Sequence, residues 1–205
     1  SETGSGEQTR SHMAMLQRLY LVRHGETAWS LSGQHTGRTD IPLTEQGERD
    51  ALELAERLRG MNFSRVFTSP LKRARRTSEL AALNRVVEIE PDLAEWDYGD
   101  YEGRSAAEIR KGRPDWNVFR DGCPNGESPA QVSKRADRLI ARLRTLEGDL
   151  AIFSHGHFGR VLAAVWIGLQ IEQAQHFLLS TASLSILGYG HNLAEEPAIV
   201  LWNAV

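Results

Sequence analysis

Two phrases in this 205-residue chain each end an apolar run in a histidine followed by a glycine. The first is Leu19-Tyr20-Leu21-Val22-Arg23-His24-Gly25, and the second is Leu150-Ala151-Ile152-Phe153-Ser154-His155-Gly156-His157. A neutral imidazole can act as a nucleophile or carry a proton, and a guanidinium offers oxyanions a planar fork of donors. Two strands ending side by side would bring His24, His155 and Arg23 together at the carboxyl edge of an open sheet, where α/β proteins hold ligands. The glycine after each histidine would let the chain turn. Such chemistry suits an anionic group, with phosphate the leading candidate.

The elements needed to position these groups are legible along the chain. After the first strand comes a polar loop, Ser30 to Pro42. Thr44 opens a helix that runs to Arg59, with Glu45 and Glu48 in its first turn and Gly60 as its stop. Arg65 to Thr68 reads as a strand, and Ser69-Pro70 as the N-cap and first position of the next helix. Val86 to Ile89 is a third strand. The stretch from Asp92 to Glu127, rich in Gly, Asp and aromatic residues, is expected to form a lid with a short helix over Ser105 to Arg110. Ser128-Pro129-Ala130-Gln131 starts a helix with cap, proline and reciprocal glutamine in place. Leu150 to Phe153, a helix over Val161 to Ile167, and strands over Ser183 to Leu187 and Ala198 to Trp202 complete the chain. Strands alternating with helices predict an α/β three-layer sandwich, a mainly parallel central sheet flanked by helices.

Composition narrows the partners. Residues 14–205 are expected to form a single domain that buries roughly 70% of its unfolded surface; Ser1 to Met13 reads as an expression remnant. A net charge of −3 gives no global attraction for nucleic acid or anionic membrane. The apolar run Val161 to Leu169 is too short to span a bilayer. Cys123, the sole cysteine, excludes an internal disulfide and fits a reducing, cytoplasmic setting.

Four motifs in order, Arg23-His24-Gly25-Glu26-Thr27, Ser69-Pro70-Leu71-Lys72-Arg73-Ala74, Glu95-Trp96-Asp97-Tyr98-Gly99-Asp100-Tyr101-Glu102-Gly103 and Ser154-His155-Gly156-His157, resemble the histidine phosphatase superfamily. The resemblance runs from Leu19 to Trp202 and implies a phosphoglycerate mutase-like fold. It implies that His24 becomes phosphohistidine, that Arg23, Arg73 and His155, with Ser69 and Gly156, bind the phosphate, and that Glu95 is the proton donor. Each role is chemically sound. Arginines disfavour the protonated imidazole and stabilise the equatorial oxygens of the transferring group. A dianionic substrate and the apolar Trp96 would favour a protonated Glu95. The segments Trp29 to Asp40 and Trp116 to Ser128 resemble a subgroup containing bacterial acid phosphatases and fungal sedoheptulose-1,7-bisphosphatase. By that likeness Ser30, Gln34, His35, Thr36 and Tyr98 would line the substrate side, and Arg160 and His191 would hold a second phosphate or sugar hydroxyls.

The expected activity is hydrolysis of small phosphomonoesters, sugar phosphates among them, with no cofactor and no metal; a homodimer is plausible by family likeness alone. His155-x-His157 with His35, His176 and His191 could instead suggest a metal site, but clustered arginines repel cations and no carboxylate-rich motif accompanies them. No Gly-x-Ser-x-Gly elbow surrounds Ser154 and no Gly-x-x-x-x-Gly-Lys loop is present, which removes serine hydrolases and P-loop NTPases. Two rivals stand. A phosphoglycerate mutase would need to shield its phosphohistidine from water, whereas the segment between Glu95 and His155 is compact and little chain follows the last strand. A non-catalytic phospho-ligand module would have no use for both His24 and Glu95.

Overall fold

The computed structural model describes residues 15–205, so the segment read as an expression remnant lies outside the described residues. Its centre is a six-stranded sheet in the order β3-β2-β4-β1-β5-β6. The strands are β1 (Leu19–Arg23), β2 (Arg65–Thr68), β3 (Val87–Ile89), β4 (Leu150–Ser154), β5 (Leu184–Tyr189) and β6 (Pro197–Ala204). The pairs β1–β4, β4–β2 and β2–β3 are parallel, while β5 runs against both β1 and β6. The mainly parallel sheet is therefore as expected.

The two innermost strands are apolar at every position but the last, Arg23 and Ser154, because both of their faces are covered. Leu19, Leu21, Leu150 and Ile152 point into one core, with α6 (Pro129–Arg144) and α7 (Gly156–Trp166). Tyr20, Val22, Ala151 and Phe153 point into the other, where Leu54 and Leu58 of α2 (Glu45–Leu58) and Ala81 of α3 (Lys72–Ala81) pack. The start of α6 carries the predicted capping box, with Ser128 and Gln131 satisfying each other's backbone amides. No helix among the described residues is long and apolar enough to cross a membrane.

Three local expectations change. The polar loop contains a short helix, α1 (Ala28–Ser32), capped reciprocally by Thr27 and Ser30 and ended by Gly33 in the left-handed region. Helix α3 begins at Lys72, with Leu71 at the cap position and no side-chain cap; Ser69 stays at the end of β2 and is drawn instead to His155. The stretch Asp92 to Glu127, expected to carry one short helix, carries two short α-helices and packs into the core. Trp96, Tyr98, Tyr101, Trp116 and Phe119 are buried in the larger core, and the short helices α4 (Ala106–Gly112) and α5 (Val118–Asp121) are pinned by Ser105 and Asn117 caps.

Candidate active site

The parallel pairing of β1 and β4 sets Arg23 opposite Ser154, so the next residues, His24 and His155, leave the sheet side by side. Their ring centroids are 5.3 Å apart. His24 Nδ1 donates to the Gly25 carbonyl at 2.7 Å, which places the lone pair on Nε2. Burial holds the His24 imidazole well below its ordinary pKa, and Arg73 and then Arg23 push in the same direction. His155 is likewise held low by burial, then by Arg73. Both rings are neutral, as a nucleophile and its neighbour must be. The Ser69 hydroxyl lies 2.7 Å from His155 Nε2 while accepting the Leu71 amide. The buried hydroxyl meets no other acceptor among the described residues, so its hydrogen goes to Nε2 and the single His155 proton sits on Nδ1.

Four buried side-chain polar atoms among the described residues lack a hydrogen-bond partner, and three of them are here: Arg23 Nε, Arg73 Nε and His155 Nδ1. All three are donors. The Arg73 side chain is fully buried, its Nη1 held by the Thr39 carbonyl and its Nη2 by those of Thr36 and Gly37, so Nε is left over. Arg23 Nη1 is fixed on the Leu179 carbonyl. Among the described residues neither guanidinium has a carboxylate partner; the donors they use go to backbone carbonyls. Buried donors left unpaired are costly, and an oxyanion would satisfy them. Glycine at 156 is required by space rather than by turning: a Cβ there would meet Arg23 Cζ at 3.0 Å, and one on Gly25 would meet the Gly47 carbonyl at 2.7 Å. Neither glycine has positive φ. The first amide of α3 is unavailable for a phosphate, because Lys72 N donates to Asp40 at 2.7 Å.

Glu95 arrives from outside the sheet. Its Oε1 accepts the amides of Trp96 and Phe158, both at 2.8 Å, and its Oε2 that of His157 at 3.0 Å, at the N-terminus of α7. The backbone that carries it is tied down by long-range contacts. Arg135 donates to the carbonyls of Asp92 and Ala94 and pairs with Glu127 at 2.9 Å. Ser154 Oγ donates to the Leu93 carbonyl. Arg135, Glu127 and Ser154 carried no individual signal in the sequence.

These groups face a cleft of about 220 Å³ lined by Arg23, His24, Glu95, Gly156 and the substrate-side residues Ser30, Gln34, His35, Thr36, Tyr98 and Arg160. Arg73, Ser69 and His155 lie behind its floor, fully buried. Ser30 and Gln34 shape the wall but have little left to offer. The Ser30 hydroxyl is used in the α1 cap, and the Gln34 amide donates to the Gly103 carbonyl and accepts from Ser32. His157, not expected on the substrate side, stands in the wall, its ring stacked on His35 at 5.7 Å. Burial keeps the Tyr98 hydroxyl protonated and His157 neutral, and with no other acceptor among the described residues the Tyr98 O–H donates to His157 Nδ1, which leaves Nε2–H available. A second cavity of about 260 Å³ adjoins, sharing His35, Ala106, His157 and Arg160. Arg160 donates through Nε and Nη2 to the Ala174 and Gln175 carbonyls, which leaves Nη1. His191 does not join the site. It follows β5, whose end lies level with the start of β1, and its exposed ring pairs with Glu196 at 2.8 Å. The antiparallel direction of β5 carries it to the opposite edge of the sheet.

Residues 19–205 match the family model of the histidine phosphatase superfamily, branch 1. The chain is 44% identical to an acid phosphatase of Mycobacterium tuberculosis over 87% of its own length and 89% of that protein. It is 37% identical to the sedoheptulose 1,7-bisphosphatase of Saccharomyces cerevisiae, covering 92% of this chain and 93% of that one. Among solved structures, an open-reading-frame product of M. tuberculosis superposes with a TM-score of 0.86 at 39% identity, over 92% of this chain and 98% of that one. A mycobacterial glucosyl-3-phosphoglycerate phosphatase superposes with a TM-score of 0.81 at 27% identity, over 94% and 100%. Motif order, sheet topology and paired imidazoles thus agree with the family match, and the chain belongs to the histidine phosphatase superfamily.

Proposed function

We propose that this protein hydrolyses small phosphomonoesters, sugar phosphates among them, through a phosphohistidine on His24. The observation that carries this reading is the set of unpaired buried donors, Arg23 Nε, Arg73 Nε and His155 Nδ1, around a neutral imidazole whose Nε2 lone pair is free. The three donors bind the phosphoryl oxygens and stabilise their charge as it spreads in the transition state. His24 Nε2 attacks phosphorus while the bond to the ester oxygen breaks, and that oxygen takes its bonding electrons and a proton from Glu95. Glu95, now a carboxylate, removes a proton from water, whose oxygen attacks phosphorus and frees His24 and inorganic phosphate. The guanidinium charges meet the phosphoryl oxygens, so no step needs a metal.

The alcohol part of the substrate extends past the stacked His35 and His157 into the second cavity, where Arg160 Nη1 meets a second anionic or hydroxyl group. The acid phosphatase and sugar bisphosphatase activities named for the relatives support this substrate class. The test is phosphate release from sugar mono- and bisphosphates, phosphoglycerates and phosphoamino acids without added metal, with acid quenching to trap phosphohistidine. Turnover that disappears in His24→Ala supports the reading. Turnover that survives in a cleanly purified His24→Ala protein, or dominant isomerisation of 3-phosphoglycerate, overturns it.

A further inference from the structure

We propose that Glu102 is the positioning residue for Arg73, acting through the backbone of residues 36–39; this rests on Arg73 being a phosphate ligand. Both oxygens of the Glu102 carboxylate accept the Gly37 amide, at 2.8 and 3.1 Å, and Oε1 also accepts the Thr39 amide at 3.2 Å. The carbonyls of the same segment point the other way. Those of Thr36 and Gly37 accept from Arg73 Nη2 at 2.8 and 2.9 Å, and that of Thr39 from Nη1 at 3.0 Å. The peptide joining Thr36 to Gly37 is therefore held at its N–H by a carboxylate and at its C=O by a guanidinium. Each charge polarises the amide in the direction that strengthens the other bond.

The relay has a purpose that a direct ion pair would defeat. A carboxylate on the guanidinium would occupy its donors and neutralise the charge meant for phosphate. One peptide away, Glu102 fixes the Arg73 fork by both Nη atoms and still leaves Nε free. The contact is close enough that only glycine fits at 37: a Cβ would lie 2.7 Å from Glu102 Oε2 and 2.8 Å from the Trp96 carbonyl. Glu102 is itself placed by the turn that pairs Gly103 N with the His35 carbonyl at 2.8 Å.

The experiment is a double-mutant cycle on Glu102→Gln and Arg73→Lys, reading kcat/KM for an aryl phosphate and inhibition by orthovanadate. Glutamine keeps one acceptor for the loop but removes the charge. Alone, Glu102→Gln is expected to weaken both readouts roughly 10- to 100-fold, as a slightly misplaced binding group does. In the Arg73→Lys background the same change should cost less than about twofold, because the group it positions is gone. Equal losses in both backgrounds, or a folded Glu102→Gln protein within about twofold of wild type, overturn the relay. Wild-type behaviour in Arg73→Lys overturns the phosphate role of Arg73 and the relay together; a crippled Arg73→Lys beside a normal Glu102→Gln removes the relay alone. Should Glu102→Gln fail to fold by circular dichroism, Glu102→Asp keeps the charge but draws the carboxylate back from the Gly37 and Thr39 amides. It must show the same loss of vanadate affinity, and unchanged affinity overturns the proposal.

Discussion

Replacing Glu95 with glutamine separates two jobs that one carboxylate performs. Glutamine can keep its oxygen where Oε1 accepts Trp96 N and Phe158 N, but its NH2 then faces the His157 amide that Oε2 accepts at 3.0 Å. That donor–donor conflict costs about 1–3 kcal/mol. For a domain of this size that lowers Tm by roughly 2–12 °C. The chemical effect is larger and depends on the leaving group. Phosphorylation of His24 by a sugar phosphate should slow about 10²- to 10⁴-fold, because an alkoxide cannot leave without a proton. With p-nitrophenyl phosphate, whose leaving oxygen needs little protonation, the same step should stay within about tenfold of wild type. Water activation also needs Glu95, so the phosphoenzyme should persist and a burst of nitrophenol should appear in rapid mixing. Equal slowing of phosphorylation by both substrates, with no burst, would refute Glu95 as the proton donor.

Three further outcomes are expected. His24, His155 and His157 are held well below the ordinary 6.5 by burial first; below pH 6.5 the unfolded chain takes up protons that the native protein does not. Stability should then fall between pH 6.5 and 5.5 by up to about 1.4 kcal/mol per pH unit per histidine and be insensitive to these groups above 6.5, so a flat Tm across that window would contradict their burial as neutral rings. Gly156→Ala puts a methyl 3.0 Å from Arg23 Cζ, whose Nη1 is held by Leu179; kcat/KM should drop roughly tenfold or more, and Tm should fall because overpacking costs about 1–3 kcal/mol against the up to about 1 kcal/mol that alanine gains in a helix. His191→Ala, exposed at the far edge of the sheet, should leave kcat/KM for sugar phosphates within about twofold, and a large loss would mean the hairpin reaches the cleft.

The parts of the site that β1 and β4 deliver were legible because fully buried parallel strands leave an unbroken apolar signature, and the polar residue that ends the run marks the rim of the sheet. Helix α6 was legible because its cap is local. Glu95 was visible only through likeness to a family. Its position depends on Arg135, Glu127 and Ser154, which meet it from distant parts of the chain and leave no local pattern. Helix α1 had a signal that was passed over, Thr27 three residues before Ser30 with Gly33 as the stop, but five residues show no periodicity. Ser69-Pro70 misled because a serine before a proline reads as a cap, whereas here its hydroxyl serves an imidazole. His191 was misplaced because no local feature of β5 says which way the strand runs, and that direction decides which edge its end reaches.

The reacting imidazoles hang from the two innermost strands, whereas the walls that meet the alcohol part of a substrate come from residues 29–36, 98–119 and 157–179. The imidazole pair and the substrate walls thus come from separate parts of the chain. The first sits on the central seam of the sheet, where both strands are hydrogen-bonded on either side. The second belongs to segments outside the sheet, whose cleft-facing side chains can be changed without altering either strand. Exchanging the cleft-facing side chains of these walls for a relative's, with Glu102 kept, should change the preferred phosphate ester while the phosphohistidine chemistry runs on unchanged.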